Sequence, residues 1–291
     1  MSALFSKNLS LKDELVISDE EFVQLRDFIY EECGIFVPDT RTYLLENRLS
    51  NRVRQLALKS FSEYYYYLRY DREKDTELKR LFEVVTTNET SFWRNPPQIE
   101  VFRDRVLAGL IEEQRKNGEK SLRIWSAGCS TGDEPYTIAM ILCEQLGAEI
   151  QNWDIKIVAN DLSSRVLDAA RQGFYSDYSL RNTPEELIKK YFKHDGKRYV
   201  IDESLKRYID FRMLNLKKRS ELLSIERSHV IFCRNVIIYF DDEMKKQVVN
   251  TFYDNLLSGG QLLVGHSESL HNITRTLKPE HYPGTIVYRK E

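Results

Sequence analysis

Long apolar runs, paired cysteines and a dominant charge of one sign are all missing from this chain of 291 residues. No stretch approaches the roughly 18 consecutive apolar residues that a membrane-spanning helix needs. Lys7, Lys12 and Glu14 interrupt the first apolar pieces, whereas a signal peptide has a basic start followed by an apolar centre. We therefore expect a cytoplasmic protein that does not insert into a membrane.

Cysteine and histidine are sparse, and their spacings do not suit zinc. The four cysteines contain no C-x-x-C pair, and the five histidines contain no H-E-x-x-H motif. The formal net charge of -2 argues against a nucleic-acid-binding protein. Residues 1–40 hold three Lys or Arg and nine Asp or Glu, whereas residues 41–60 hold five and one. We expect no metal site and no disulfide framework, and the basic segment is suited to an acidic partner.

The first part of the chain is predicted to be helical. Ser18 and Glu21 form a capping box ahead of apolar residues at helical spacing, which predicts a first helix that ends before Gly34. A second helix is predicted from about residue 40 to residue 58, and apolar residues from Phe61 onward complete a small bundle. We assign 1–73 to an all-helical domain, 74–86 to a linker helix and 87–291 to a second domain.

Four cations fall along one edge of the second predicted helix, at about 100° per residue. We call them the basic edge, and they are Arg41, Arg48, Arg52 and Lys59. Two interpretations stay open. The basic edge is either a solvated helix face or a docking surface for an acidic partner.

From about residue 122, short runs rich in Ile and Val alternate with longer amphipathic stretches, a pattern typical of parallel strands joined by helices. The predicted strands are 122–126, 155–160, 208–213, 229–232 and 261–264, with a last strand at 285–289 on the sheet edge. A small β hairpin subdomain is predicted at about 190–206, where Asp195 and Gly196 supply the turn. The fold class of this second domain is α/β.

A glycine loop separates the first predicted strand from a helix. Gly128 and Gly132 have the spacing Gly-x-x-x-Gly, which matches neither the dinucleotide motif nor the phosphate-binding loop. Asp133 and Glu134 follow where a phosphate would bind the helix N-terminus, and their charges would repel it. A cationic nucleoside such as S-adenosylmethionine fits better. The alternative is a plain turn between a strand and a helix.

Asp161 follows the next strand, where carboxylates of such sheets commonly hold ribose hydroxyls. The competing interpretation is that Asp161 only caps the helix that begins near Ser163. Spacing alone favours neither interpretation.

Four sequence blocks together resemble the CheR family of chemoreceptor glutamate methyltransferases. They are Thr-Thr-Asn-Glu-Thr-Ser-Phe-Trp-Arg at 86–94, Gly-Asp-Glu-Pro-Tyr at 132–136, Arg-Asn-Val-Ile-Ile-Tyr-Phe at 234–240 and Gly-His-Ser-Glu-Ser at 265–269. The likeness runs from about Ile17 to the end of the chain. The resemblance implies a small N-terminal helical domain that docks to cytoplasmic receptor helices. It also implies a second domain with a Rossmann-like sheet, which binds S-adenosyl-L-methionine and yields S-adenosyl-L-homocysteine as the product. We expect a monomer.

The resemblance also implies roles for individual residues. The expected cofactor contacts are Asn88, Thr90 and Arg94 at the methionine end, Gly128 and Glu134 in the glycine loop, Asp161, the adenine-side pair Asn215 and Leu216, and the pair Arg234 and Asn235. Arg94 and Tyr239 resemble the residues that line the methyl-transfer point. The basic edge corresponds to the family's docking helix. The family often has Phe at Trp93 and Glu at Asp133, and of the two adjacent acids we expect Glu134 to contact the cofactor.

Methyl transfer to a carboxylate needs no general base, because a glutamate with a pKa near 4.3 is already ionised at neutral pH. We therefore expect Arg94 to place the cofactor or the acceptor, Tyr239 to donate a hydrogen bond, and His266 to be no catalyst. The short hairpin with its single Gly196 predicts docking that is independent of a receptor pentapeptide tether. The competing functions are methylation of another acceptor, a non-catalytic signalling adaptor that binds S-adenosylmethionine, and a DNA-binding helical domain.

Overall fold

The computed structural model describes residues 15–291 and divides them into two compact units. The first unit contains the described residues up to Ile29 together with Val37–Val85, and the second contains Tyr30–Phe36 and Thr86–Glu291. Within residues 15–291 no helix is both long enough and apolar enough to cross a membrane.

The first unit is all helical, as predicted. Its helices are α1 Asp19–Cys33, whose last turn belongs to the second unit, a 3-10 turn at Asp39–Arg41, α2 Thr42–Gln55, α3 Phe61–Tyr70 and α4 Lys74–Val85. The capping box is confirmed, because the Ser18 N–H donates to Glu21 Oε2 at 3.0 Å and the Glu21 N–H donates to Ser18 Oγ at 3.3 Å. Helix α1 ends at Cys33, and the next residue, Gly34, has a φ of 76°, the left-handed conformation that favours glycine.

Glu77 of α4 ties three helices together. Its side chain is buried, and its Oε1 accepts from Arg52 Nε of α2 at 2.9 Å and from the Tyr64 hydroxyl of α3 at 2.8 Å. A buried carboxylate with a guanidinium partner and a hydroxyl donor is well satisfied. Helix α4, predicted as a linker, therefore belongs to the first unit.

The prediction that the basic edge follows one helix is wrong. Helix α2 begins at Thr42 and ends at Gln55, so Arg41 and Lys59 lie outside it. Ala57, with a φ of 54°, breaks the helical path before Lys59. Two members are held within the unit: Arg48 donates to the Val85 carbonyl, and Arg52 pairs with Glu77. Of the four residues of the basic edge, Arg41 and Lys59 are exposed, whereas Arg48 and Arg52 are half-buried.

The second unit is built on a seven-stranded sheet in the order β6-β2-β1-β7-β8-β10-β9. Its strands are β1 Ser121–Ala127, β2 Asp154–Asp161, β6 Ile209–Met213, β7 Ser228–Cys233, β8 Leu256–Val264, β9 Leu277–Tyr282 and β10 Thr285–Lys290. The first five run parallel, and β10 is antiparallel to both β8 and β9. The prediction that the last strand lies at the edge is wrong, because β9 takes that place.

Apolar side chains cover both faces of the sheet. Ile124 and Trp125, adjacent on β1, point into different cores, and Val230 and Ile231 do the same on β7. Strands that are buried on both faces read as continuous apolar runs, which explains why the sequence predicted their positions.

Helices and a second, small sheet complete this unit. The helices are α5 Pro96–Val101, a π-helical turn Phe102–Leu107, α6 Ala108–Lys116, α7 Asp133–Leu146, a 3-10 turn Gly147–Asn152, α8 Ser164–Gln172, α9 Asp177–Leu180, α10 Glu185–Tyr191, α11 Glu203–Lys206, α12 Arg219–Leu222, a 3-10 turn Ile237–Tyr239 and α13 Asp242–Asn255. The small sheet contains β3 Phe174–Tyr175, β4 Phe192–His194 and β5 Tyr199–Ile201. The predicted hairpin is confirmed as the antiparallel pair β4 and β5.

Candidate functional site

Loops that follow the five parallel strands meet at one edge of the sheet, since parallel strands end on the same side. They carry most of the predicted site residues: Gly128 and Glu134 after β1, Asp161 at the end of β2, Asn215 and Leu216 after β6, and Arg234, Asn235 and Tyr239 after β7. Ligands of open α/β sheets bind at this edge, so the topology supports a single site.

The glycine loop approaches its neighbours closely. Gly128 has a φ of 78°, and a Cβ built on it would lie 2.4 Å from Val236 Cγ2. Its N–H donates to the Asn160 carbonyl at 2.8 Å. Any side chain at Gly128 would therefore push apart the glycine loop and the segment 234–240.

Strained backbone is concentrated around the same edge. Four non-glycine residues of the second unit have a positive φ, and they are Trp93 at 55°, Asn95 at 60°, Ser130 at 49° and Asn235 at 59°. Such conformations cost about 1–3 kcal/mol each and persist where the surroundings enforce them, often at functional sites. All four lie in or beside the sequence blocks that carry the family resemblance.

Asp161 holds the glycine loop in place. Its Oδ2 accepts from the Ser130 N–H at 2.9 Å, and its Oδ1 accepts from the Ser163 N–H at 2.9 Å. The second bond supports the helix-capping interpretation. Burial raises the pKa of Asp161, and the backbone donors oppose that shift. Because each carboxylate oxygen accepts more than one hydrogen bond, the capping bond leaves room for ribose hydroxyls.

Glu134 and Asp133 have different surroundings. Glu134 Oε1 accepts from Ser126 Oγ at 2.7 Å, and its Oε2 accepts from Arg234 Nη1 at 3.2 Å. Asp133 is buried, accepts from Thr131 Oγ1 at 2.6 Å, and has an Oδ1 without a partner. Burial raises the pKa of Asp133 to about 6. Glu134 thus has a guanidinium partner, and which of the two acids contacts the cofactor stays a prediction.

Arg234 joins three parts of the site. Its Nε donates to Gln98 Oε1 at 2.6 Å, and its Nη2 donates to the Arg94 carbonyl. Gln98 is fully buried and donates in turn to the Val264 carbonyl at 2.8 Å. The guanidinium of Arg234 therefore supports the chain around the site, in addition to pairing with Glu134.

The segment 88–94 is attached to the glycine loop. Ser130 Oγ donates to the Asn88 carbonyl at 3.2 Å, and Arg94 Nη1 donates to the Glu89 carbonyl at 2.8 Å. Asn88, Thr90 and Arg94 are each half-buried. The structure thus brings this segment to the sheet edge, as the resemblance implies, and direct contacts to a cofactor stay a prediction.

The adenine-side pair and Tyr239 both contact the segment Tyr30–Phe36. Asn215 Nδ2 donates to the Glu32 carbonyl at 2.7 Å, and the Phe36 N–H donates to the Tyr239 carbonyl at 2.9 Å. Leu216 is buried in one of the two apolar cores. Tyr239 is half-buried, and His266 is exposed.

Sequence reasoning missed several supporting residues. Gln98 and the segment Tyr30–Phe36 carry no motif, and their partners lie far away along the chain. Ser126 lies close to its partner Glu134 in the sequence, but nothing in the motif assigns a hydrogen bond to this serine. Glu268 was noticed only as part of a sequence block, yet its carboxylate accepts from three backbone N–H groups.

The donor set fits S-adenosylmethionine. Two buried or nearly buried carboxylates, Asp161 and Glu134, suit hydroxyl groups and a cation. The guanidinium of Arg234 is neutralised by Glu134 and is thus poorly suited to a phosphate. Fold and site together define an S-adenosylmethionine-dependent methyltransferase.

Comparison with known proteins gives the family. Residues 20–86 match the CheR methyltransferase all-alpha domain, and residues 88–285 match the CheR methyltransferase SAM binding domain. The chain is 35% identical over 280 residues to chemotaxis protein methyltransferase 2 of Vibrio cholerae, covering 96% of this chain and 95% of that protein. It is 34% identical to the chemotaxis protein methyltransferase of Escherichia coli, covering 92% and 90%. This chain belongs to the CheR methyltransferase family.

Proposed function

We propose that this enzyme transfers a methyl group from S-adenosylmethionine to glutamate side chains of bacterial chemoreceptors, giving glutamyl methyl esters. The observation that carries the proposal is the site at the sheet edge, where Glu134, Asp161 and segment 234–240 converge in a chain whose relatives are named chemotaxis protein methyltransferases. The proposal places the enzyme in the cytoplasm, because the family's acceptors are cytoplasmic receptor helices. We also propose that it is a monomer.

The residues hold and orient the reactants, and none acts as a base. The bound cofactor supplies a methyl group on a positively charged sulfur. A glutamate carboxylate would attack that carbon while the bond from the carbon to sulfur breaks, so S-adenosylhomocysteine would leave as a neutral thioether and the opposite charges would be neutralised. Holding both groups in line supplies up to roughly 7–11 kcal/mol. We assign the orientation of the acceptor to the Tyr239 hydroxyl and the placement of the cofactor's carboxylate or the acceptor to Arg94.

We assign the remaining predicted contacts to the cofactor. Asp161 would accept from the ribose hydroxyls, and Glu134 would face the positive end of the methionine group. The other proposed contacts are Asn88, Thr90, Gly128, Asn215, Leu216, Arg234 and Asn235. For Arg234 and Asn215 the structure supports an indirect contribution, because their side chains already bond within the protein.

Docking is proposed to use the exposed part of the basic edge. Arg41 and Lys59 are exposed, so both are available to acidic receptor helices. Arg52 contributes to the fold through Glu77. The strands β4 and β5 span three residues each, and this small hairpin supports our proposal that docking does not require a pentapeptide tether.

The test is methylation of receptor cytoplasmic fragments in the presence of S-adenosylmethionine. A fragment in which the candidate glutamates are replaced by glutamine serves as the control. Transfer to the glutamate fragment alone supports the proposal. Binding of S-adenosylmethionine without transfer would indicate the adaptor function, and transfer to both fragments would indicate another acceptor.

A further inference from the structure

The segment 234–240, between β7 and α13, carries Arg234, Asn235 and Tyr239 and has an unusual backbone. Asn235 has a φ of 59°, and a 3-10 turn follows at Ile237–Tyr239. Neither feature is self-sustaining, because a left-handed Asn is strained and a short 3-10 turn has poor hydrogen-bond geometry. Contacts with residues outside the segment must therefore hold its backbone in this conformation.

The carboxylate of Glu268 makes the required contacts. Its Oε2 accepts from the Asn235 N–H at 2.7 Å and from the Gly265 N–H at 2.6 Å, and its Oε1 accepts from the Ile238 N–H at 3.2 Å. Glu268 is 9% exposed, and these three donors are main-chain groups. Hydrogen bonds to a charged acceptor are about twice as strong as neutral ones. One of these bonds holds the left-handed Asn235, and another holds Ile238 in the 3-10 turn that follows.

Gly265 makes this contact possible. A Cβ on Gly265 would lie 2.5 Å from Glu268 Oε2 and 2.9 Å from the Asn235 nitrogen. Contacts that short require the carboxylate or the backbone of segment 234–240 to move. The position of the Glu268 carboxylate therefore depends on glycine at position 265.

We propose that Glu268 is a positioning residue for methyl transfer. It fixes the backbone of segment 234–240 so that Asn235 and Tyr239 face the reacting groups, and it does so without touching them. The proposal rests on the proposed function, because it assigns to Glu268 the geometry of that site. A glutamine replaces the carboxylate only in part, because its amide oxygen can accept from the Asn235 and Gly265 N–H groups but its NH2 group then faces the Ile238 N–H donor.

Glu268→Gln tests the proposal in the full-length enzyme. We expect kcat with a receptor fragment to fall about tenfold or more, because one charge-assisted contact is lost. The dissociation constant for S-adenosylmethionine should rise by less than the fall in kcat, because Asn235 is only one of several proposed cofactor contacts. The KM for the fragment should change by less than about threefold. Glu280→Gln is the matched control, since Glu280 is a hydrogen-bonded acid of β9.

Amide hydrogen exchange supplies a readout that does not depend on turnover. In Glu268→Gln the N–H groups of Asn235, Ile238 and Gly265 should exchange faster, while β1 and β7 keep their protection. Gly265→Ala should give the same pattern, because its Cβ displaces the same carboxylate. If the wild-type enzyme fails to methylate receptors, the proposed function fails, and the exchange data still decide whether Glu268 holds the segment.

Two results would overturn the proposal. One is wild-type kcat and wild-type exchange in Glu268→Gln. The other is a parallel loss of thermal stability, cofactor binding and kcat, which indicates a general structural contribution.

Discussion

Arg234 and Glu134 form a nearly buried ion pair, in which Nη1 lies 3.2 Å from Oε2 and the two side chains are 4% and 13% exposed. The pair joins the loop after β7 to the first turn of α7. Ser126 donates to the same carboxylate, and Gln98 accepts from the same guanidinium. Arg234 therefore balances part of the negative charge at this nearly buried position.

Removing one partner of this pair should destabilise the protein. Arg234→Met leaves Glu134 without its cation and Gln98 Oε1 without its donor, which should cost about 3–5 kcal/mol of unfolding free energy. Chemical denaturation measures this loss. The double variant with Glu134→Gln should lose less than the sum of the single variants, and additive losses would show that the two side chains act independently.

Asp133 should make stability depend on pH. Its pKa in the folded protein is about 6, above the ordinary 3.8, so the folded state binds more protons between those values. Stability conferred by the protonated form is present below about pH 4 and is lost as the pH rises through about 6. Asp133→Asn should therefore stabilise the protein near pH 7.5, by up to about 3 kcal/mol, and much less near pH 4. Thermal unfolding at both pH values measures this, and an equal effect at both would contradict the assignment.

Tyr239→Phe should lower turnover more than cofactor affinity. The hydroxyl is proposed to orient the acceptor carboxylate, and its loss should reduce kcat about tenfold, equivalent to one hydrogen bond to a charged group. Steady-state methylation and calorimetry with S-adenosylmethionine separate the two quantities. Tyr253→Phe, on α13, is the control. Equal losses of kcat and cofactor affinity would refute the proposed contribution of Tyr239.

Charge reversal at the exposed basic edge should weaken docking. Arg41→Glu combined with Lys59→Glu should raise the KM for receptor fragments several-fold at low salt, while cofactor affinity is unchanged. Lys116→Glu, an exposed reversal on α6, is the control. A KM equal to that of the control would count against docking at the basic edge.

Arg52 needs a different interpretation from the other docking candidates. Arg52→Glu would place a carboxylate beside buried Glu77, so it should unfold the first unit as well as impair methylation. The helical signal in circular dichroism distinguishes unfolding of the first unit from a defect in docking. Reduced methylation with an intact helical signal would show that Arg52 also takes part in docking.

Much of the fold could be predicted because its strands are buried on both faces. Ile124 and Trp125 belong to different cores, so β1 reads as one apolar run. The edge strand β9 was missed because it carries Pro279 and exposed polar residues, as edge strands often do. The glycine loop and Asp161 could also be located from the sequence, because each directly follows one of these apolar runs.

The rest depends on contacts between distant residues. Neither interpretation of the basic edge includes the buried ion pair of Arg52, because its partner Glu77 is 25 positions away. Glu268 is separated from Asn235 by 33 positions, and the spacing of acids gives no sign of such a contact. The left-handed Ala57, which breaks the path to Lys59, is likewise set by tertiary structure, because alanine ordinarily continues a helix.

The most direct test of the central claim is the chemical nature of the transferred methyl group. The enzyme is incubated with methyl-labelled S-adenosylmethionine and receptor cytoplasmic fragments, and the labelled fragment is then exposed to mild base. Transfer to a glutamate carboxylate predicts that the label is released as methanol, as a glutamyl methyl ester requires. A label that enters the fragment and resists base would contradict transfer to a carboxylate.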